Sequence, residues 1–323
     1  CDHMIKMFML KAKKMKKTKR IFKVKTILKI LILLILGAGI FTLGKAITKD
    51  ILVNVEINKF KERAVFEYEE EFLYQVGVYQ TRRYYKVPRE TSYELSDTRS
   101  VFYDDTRKYL GQTGDIFLSQ DSPFPNSFFI DQFISFYFGG HAAIKNDENQ
   151  FIEAVGFPNS DETLLDIITH PGNEPHDYSV TINKTSNNYF LNPRYRTDSN
   201  PYYDHFGTYY RKEIIGVRVK DLTEDQRLGA AAYAEDKVDK NLYNFLFFLD
   251  MTYKFYCTDL VSRAYQDVMV LEEDQRNYAQ ALNDDGFITS VNDIILSEET
   301  YISFYFEIID DVVHIYYLED MEG

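Results

Sequence analysis

Residues 27–44 read ILKILILLILGAGIFTLG, an apolar run broken only by Lys29. A helix of that length rises roughly 27 Å, close to a hydrocarbon core, and Lys29 lies near enough to one end to snorkel. Residues 50–75 set Ile51, Val55, Ile57, Val65 and Phe66 in a charged stretch, which predicts a helix serving as a stalk or packing element. Beyond Gly114 the pattern turns mixed. GDIFLS, HAAI, QFIEAV and EIIGVRV (213–219) read as short strands, and 128–138 is an aromatic segment. Residues 223–240 read as a helix with Thr223 at its cap and Gln226 three positions on, and 257–270 as a second helix. YISFYFEI and VVHIYYL, separated by Asp310 and Asp311, predict a carboxy-terminal hairpin.

The stretch 158–211, rich in Pro, Asn and Tyr, is too long for a plain connector and reads as a lid or substrate-facing loop. The expected organisation is a basic amino terminus (1–26), a transmembrane anchor or signal segment (27–48), a helical stalk or packing region (49–105) and an α+β domain (106–323) interrupted by the insertion 158–211.

Charge sharpens this division. Of the 37 Lys and Arg residues, 13 fall within residues 1–49, where Asp2 is the only acid. Residues 50–323 therefore carry 24 basic against 49 acidic residues. An acidic globular part lacks the basic footprint that phosphates require, which excludes nucleic acid as the expected partner. Basic residues ahead of the apolar run predict a single-pass anchor with the carboxy-terminal domain on the outer side of the membrane. A cleaved signal peptide is the alternative, because Gly44 and Ala46 are spaced like a cleavage site. Cys1 precedes the apolar run instead of following it, so it does not fit a lipid-modified terminus, and Met4 or Met7 is the expected start.

In KFYCTDLVSRAYQDV (254–268), Leu260, Val261, Ala264, Tyr265 and Val268 form one apolar helical face, and the helix opens at or just after Cys257. A sulfur there faces the positive end of the macrodipole and unpaired N–H groups, which stabilise thiolate. Cys257 is thus a candidate nucleophile, with the neighbouring N–H groups available to a developing oxyanion. A buried structural thiol is the competing reading. A base is available in His141, which opens the strand HAAI, and Glu153 lies in the next strand beyond the polar turn KNDEN. If Lys145 and Asn149 flank a three-residue loop, His141 falls opposite Glu153 on one face of the sheet. A carboxylate beside an imidazole fixes its tautomer and favours the imidazolium.

With these residues in place, the sequence resembles the permuted papain-like, NlpC-type cysteine hydrolases, in particular the YiiX-like branch. The likeness is carried by Gly114-Asp115-Ile116, Gly140-His141-Ala142, Ile152-Glu153-Ala154 and Tyr256-Cys257-Thr258-Asp259-Leu260, in that order. RVKDLTEDQR (218–227) and LYNF (242–245) also resemble segments preceding the family's cysteine. It covers about half the chain, 110–270; Thr258 and Asp259 stand where the family has Ser and Glu, and the insertion is long. The resemblance implies a permuted papain-like fold, an antiparallel sheet packed with helices, with Cys257 as nucleophile, His141 as general base and acid, and Glu153 as orienting residue. It also implies hydrolysis of an amide or ester through a thioester, without metal or cofactor, and a structural Asp115. The expected partners are the membrane and a peptide, cell-wall or lipid-derived substrate.

Other chemistries have weaker signals. His141, Glu153 and Cys257, or His170 with His176, offer zinc ligands, but close pairs such as C-x-x-C or H-E-x-x-H do not occur. His205 and His314 read as packing or surface residues, and Asn183-Lys-Thr as a chance match to a glycosylation acceptor. A membrane-anchored binding domain that keeps the fold without turnover is the second function class. A lipid substrate, reached by the aromatic run 128–138 dipping into a bilayer, is the third.

Overall fold

A computed structural model describes residues 2–121, 140–185, 188–200, 202–249, 251–266, 268–269, 282 and 288–321. The aromatic run 128–138 lies outside the described residues, as do positions 267 and 270 of the second expected helix. Helix α1 is Asp2–Glu62, and the chain divides into two compact units, Cys1–Ile47 and Thr48–Gly323. In the first, the most apolar stretch has a mean hydropathy of 2.5 and none of it is buried. Leu33, Leu34 and Ile35 are all more than 60% exposed, whereas the core helix of a soluble protein would hide them. Length and composition fit a membrane anchor or a signal helix.

The second unit is mixed α+β, built on a nine-stranded sheet ordered β1-β2-β11-β10-β7-β3-β4-β5-β6. In chain order these are β1 Val65–Gln75, β2 Val78–Val87, β3 Ile116–Ser119, β4 His141–Lys145, β5 Phe151–Ala154, β6 Ile182–Lys184, β7 Glu213–Val219, β10 Thr300–Ile309 and β11 Val312–Leu318. Leu242–Tyr243 (β8) and Lys254–Phe255 (β9) form a separate parallel pair.

Two expectations require correction. Residues 49–105 are not a helical region: α1 ends at Glu62 and a β-hairpin follows. From Tyr68 onward the strand alternates, with Tyr68 stacked on Tyr84 and Phe72 under the Arg82 guanidinium, a period of two that the charged composition obscured. The hairpin joins the main sheet, so no domain boundary falls at 105/106. Nor is the sheet wholly antiparallel, because β2 pairs with β11 in parallel. A tight turn forces antiparallel pairing, whereas more than 200 residues of chain separate β2 from β11 and leave the direction free.

The remaining helices are α2 Ser92–Ser96, α3 Leu164–Thr169, α4 Tyr203–Phe206, α5 Glu224–Asp236, α6 Cys257–Gln266 and α7 Val291–Leu296. The capping box at Thr223 and Gln226 opens α5 as its sequence predicts. Helix α6 lies across β4 and β5 and against α5, with Leu260, Val261, Ala264 and Tyr265 fully buried. Burial of Leu260 and of Val261 contributes about 1.5–3 kcal/mol each, which anchors the helix and the cysteine that begins it. Asp115 is structural. Its carboxylate takes the N–H of Gln112 at 2.8 Å and the Arg218 Nε at 2.9 and 3.1 Å, tying the turn before β3 to β7.

Candidate active site

Strand β4 starts where the backbone of Gly140, at φ 97°, passes so close to β3 that a Cβ would lie 2.1 Å from the Ser119 carbonyl oxygen. Only glycine fits both the conformation and the approach. His141 follows it, opposite Ser119. Across the next turn the pairing is Ile144 with Ile152 and Lys145 with Phe151. The turn therefore holds five residues, 146–150, and not three. It is longer because Asn146 closes it: its side-chain oxygen accepts from the N–H groups of Glu148 and Gln150, and its Nδ2 donates to Gln150 Oε1.

The register differs from expectation by two positions. A shift of two keeps each side chain on its own face, so His141 meets Glu153 diagonally instead of directly. The distance from His141 Nε2 to Glu153 Oε2 is 2.5 Å. Their side chains are 16% and 8% exposed.

Cys257 is the first residue of α6, and the N–H of Leu260 closes the opening turn on the Tyr256 carbonyl at 2.9 Å. Its side chain is buried beside the His141 imidazole. With Nε2 engaged by Glu153, Nδ1 is the ring nitrogen left for the thiol. Burial by itself would lower the His141 pKa, but Tyr210, Cys257 and Glu153 together outweigh it and hold the imidazole well above its ordinary value. The three residues singled out in the sequence thus meet as sulfur, imidazole and carboxylate.

Several partners were not legible in the sequence. The Tyr189 hydroxyl lies 2.9 and 2.8 Å from the two oxygens of Glu153. The Tyr210 ring stands edge-on to His141, at 6.4 Å between centroids, and edge-on to Tyr189 at 5.0 Å. Guanidinium groups of Arg196 and Arg211 hold the Tyr210 carbonyl at 2.7 and 2.9 Å. All of these belong to the insertion or its last turn, whose Tyr-rich composition was the only available signal. Tyr243, in β8, lies beside the thiol; burial first, and the neighbouring Cys257 second, push its pKa well up, so it remains a phenol. Gly156 makes room for it, since a Cβ there would sit 2.6 Å from the ring.

The other histidines serve elsewhere. His170 accepts the Gly172 N–H at 3.0 Å and stands edge-on to His176, while His205 packs on Phe206. His314 Nδ1 shares a 3.1 Å hydrogen bond with Tyr85. Asn183, the glycosylation-like position, is a strand residue opposite Glu153. Among the described residues, no group of three His, Cys, Asp or Glu side chains is disposed to hold a metal ion. Comparisons of the chain with protein-family models, with curated proteins and with solved structures found no match.

Proposed function

We propose that this chain is a membrane-tethered cysteine hydrolase that cleaves an amide in a peptide or cell-wall-type substrate, with its acidic domain on the outer side of the membrane. The reading rests above all on one observation: Cys257, at a helix amino terminus, is buried beside an imidazole whose Nε2 lies 2.5 Å from Glu153. The permuted papain-like resemblance agrees with this order of residues along the chain.

In the proposed reaction, the imidazole takes the thiol proton and the sulfur adds to the substrate carbonyl, turning its oxygen into an oxyanion. Backbone N–H groups of the first α6 turn, next to the sulfur in the chain, are the donors available to that charge. Collapse expels the amine, which leaves with the proton held on His141, and a thioester remains. Water, giving its proton to the same imidazole, then releases the acid and the thiol. Glu153 keeps the ring oriented and its positive charge compensated throughout.

A lipid ester as substrate for the same thiol is favoured by one observation: Phe157, which follows Gly156 and its contact with Tyr243, is 59% exposed. The deciding experiment compares the wild-type chain with Cys257→Ser on peptidoglycan fragments and on phospholipid vesicles. Release of new amino groups from the fragments by the wild type alone is the expected result. Release of fatty acid would move the assignment to lipid. Inertness toward both, together with a Cys257 no more reactive than a free thiol, would leave a non-catalytic binding domain.

A further inference from the structure

A carboxylate that orients an imidazole must itself be held, and Glu153 is held by a second group besides the histidine. Its two oxygens are bridged by one phenol, at 2.9 and 2.8 Å from the Tyr189 hydroxyl. The Tyr189 ring has little freedom. It stacks on Tyr195 at 5.3 Å, meets Phe151 and Tyr210 edge-on at 5.8 and 5.0 Å, and tilts against Phe190 at 4.8 Å. Packing of this kind would be satisfied equally by phenylalanine. The hydroxyl has a separate purpose: it donates to the carboxylate of Glu153.

We infer that Tyr189 is a positioning residue of the site, a donor supplied by the insertion that fixes the Glu153 carboxylate so that one oxygen is presented to His141. The inference rests on the reading of Cys257, His141 and Glu153 as one reactive unit. A phenol suits the task because burial and the adjacent carboxylate keep it protonated, so it donates at any pH at which the protein works. The insertion 158–211 is thereby part of the machinery of the site, beyond any contact it makes with substrate.

The test uses the full chain in detergent on a Cys1→Ser background, so that Cys257 is the one remaining thiol, and follows its alkylation by iodoacetamide at pH 6. Near-ultraviolet circular dichroism verifies that each variant is folded. The Tyr189→Phe protein is expected to react about tenfold more slowly than wild type, the loss of one hydrogen bond to a charged group. In a Glu153→Ala protein the same Tyr189→Phe change is expected to have no further effect, because a residue acting through Glu153 has nothing left to act on. Wild-type speed in Tyr189→Phe, or additive losses in the double variant, would overturn the inference while leaving the triad intact. A wild-type thiol that reacts no faster than His141→Ala would instead overturn the reading of the site on which it rests.

Discussion

Replacing Asp115 by Asn separates the motif that builds the domain from the residues that carry chemistry. The carboxylate and the Arg218 guanidinium it faces are both inaccessible to solvent, joined at 2.9 and 3.1 Å through Nε and 3.1 Å through Nη2. The amide keeps the shape and removes the charge, leaving Arg218 with Asp97 at 3.4 Å and the carbonyls of Arg99 and Ser100 at 3.2 and 2.7 Å. Breaking a buried pair from one side costs about 3–5 kcal/mol, and the remaining acceptors place this case near the lower bound, about 3 kcal/mol. For a domain of this size each kcal/mol lowers Tm by roughly 2–4 °C, so the expected loss is about 6–12 °C. Calorimetry of wild-type and Asp115→Asn protein in the same detergent measures it. Well below both transitions, the alkylation rate of Cys257 is expected to be equal in the two. A Tm shift under about 2 °C would refute the assigned role of the ion pair. An equal Tm loss with a collapsed alkylation rate in still-folded protein would show that Asp115 belongs to the reactive site.

Two further perturbations probe the surroundings of the site. Gly156→Val places carbon where the Tyr243 ring now lies, 2.6 Å from a Cβ; overpacking of about 1–3 kcal/mol and slower alkylation of Cys257 are expected, read by thermal unfolding and by labelling. Lys145 donates to the carbonyls of Leu110 and Gly111 at 2.7 and 2.6 Å, and burial brings its pKa down to about 7. Because the unfolded chain binds that proton up to about pH 10 while the folded one releases it near 7, stability should rise with pH across this window. Denaturant titrations at several pH values should show that slope in wild type and a flatter one in Lys145→Met; identical slopes would remove Lys145 as its source.

Much of the fold is written locally. The strands β3, β4, β5, β7, β10 and β11 follow from short alternating or apolar runs, and α5 from a cap three residues ahead of its partner glutamine. The apolar face of α6 fixes which way that helix must lie, and with it the place of Cys257. Less accessible was the hairpin of β1 and β2, where Glu67, Glu69, Glu70 and Glu71 made a strand look like the continuation of a charged helix. Its aromatic face is covered by distant segments, with Arg107 lying over Tyr68 and the Tyr74 hydroxyl donating to the Asn188 carbonyl.

The site divides along the same line. A thiol at a helix start, an imidazole at a strand start and a carboxylate in the neighbouring strand can each be picked out by residue type and period, because those signals live within a few consecutive positions. Their registry cannot: the two-position shift between β4 and β5 comes from how Asn146 closes a turn. Tyr189 and Glu153 are 36 residues apart, and no periodicity links them. Consecutive side chains decide helix and strand through sterics and alternation. Which phenol meets which carboxylate is settled only when the whole sheet closes, since a contact between distant segments depends on every element that lies between them.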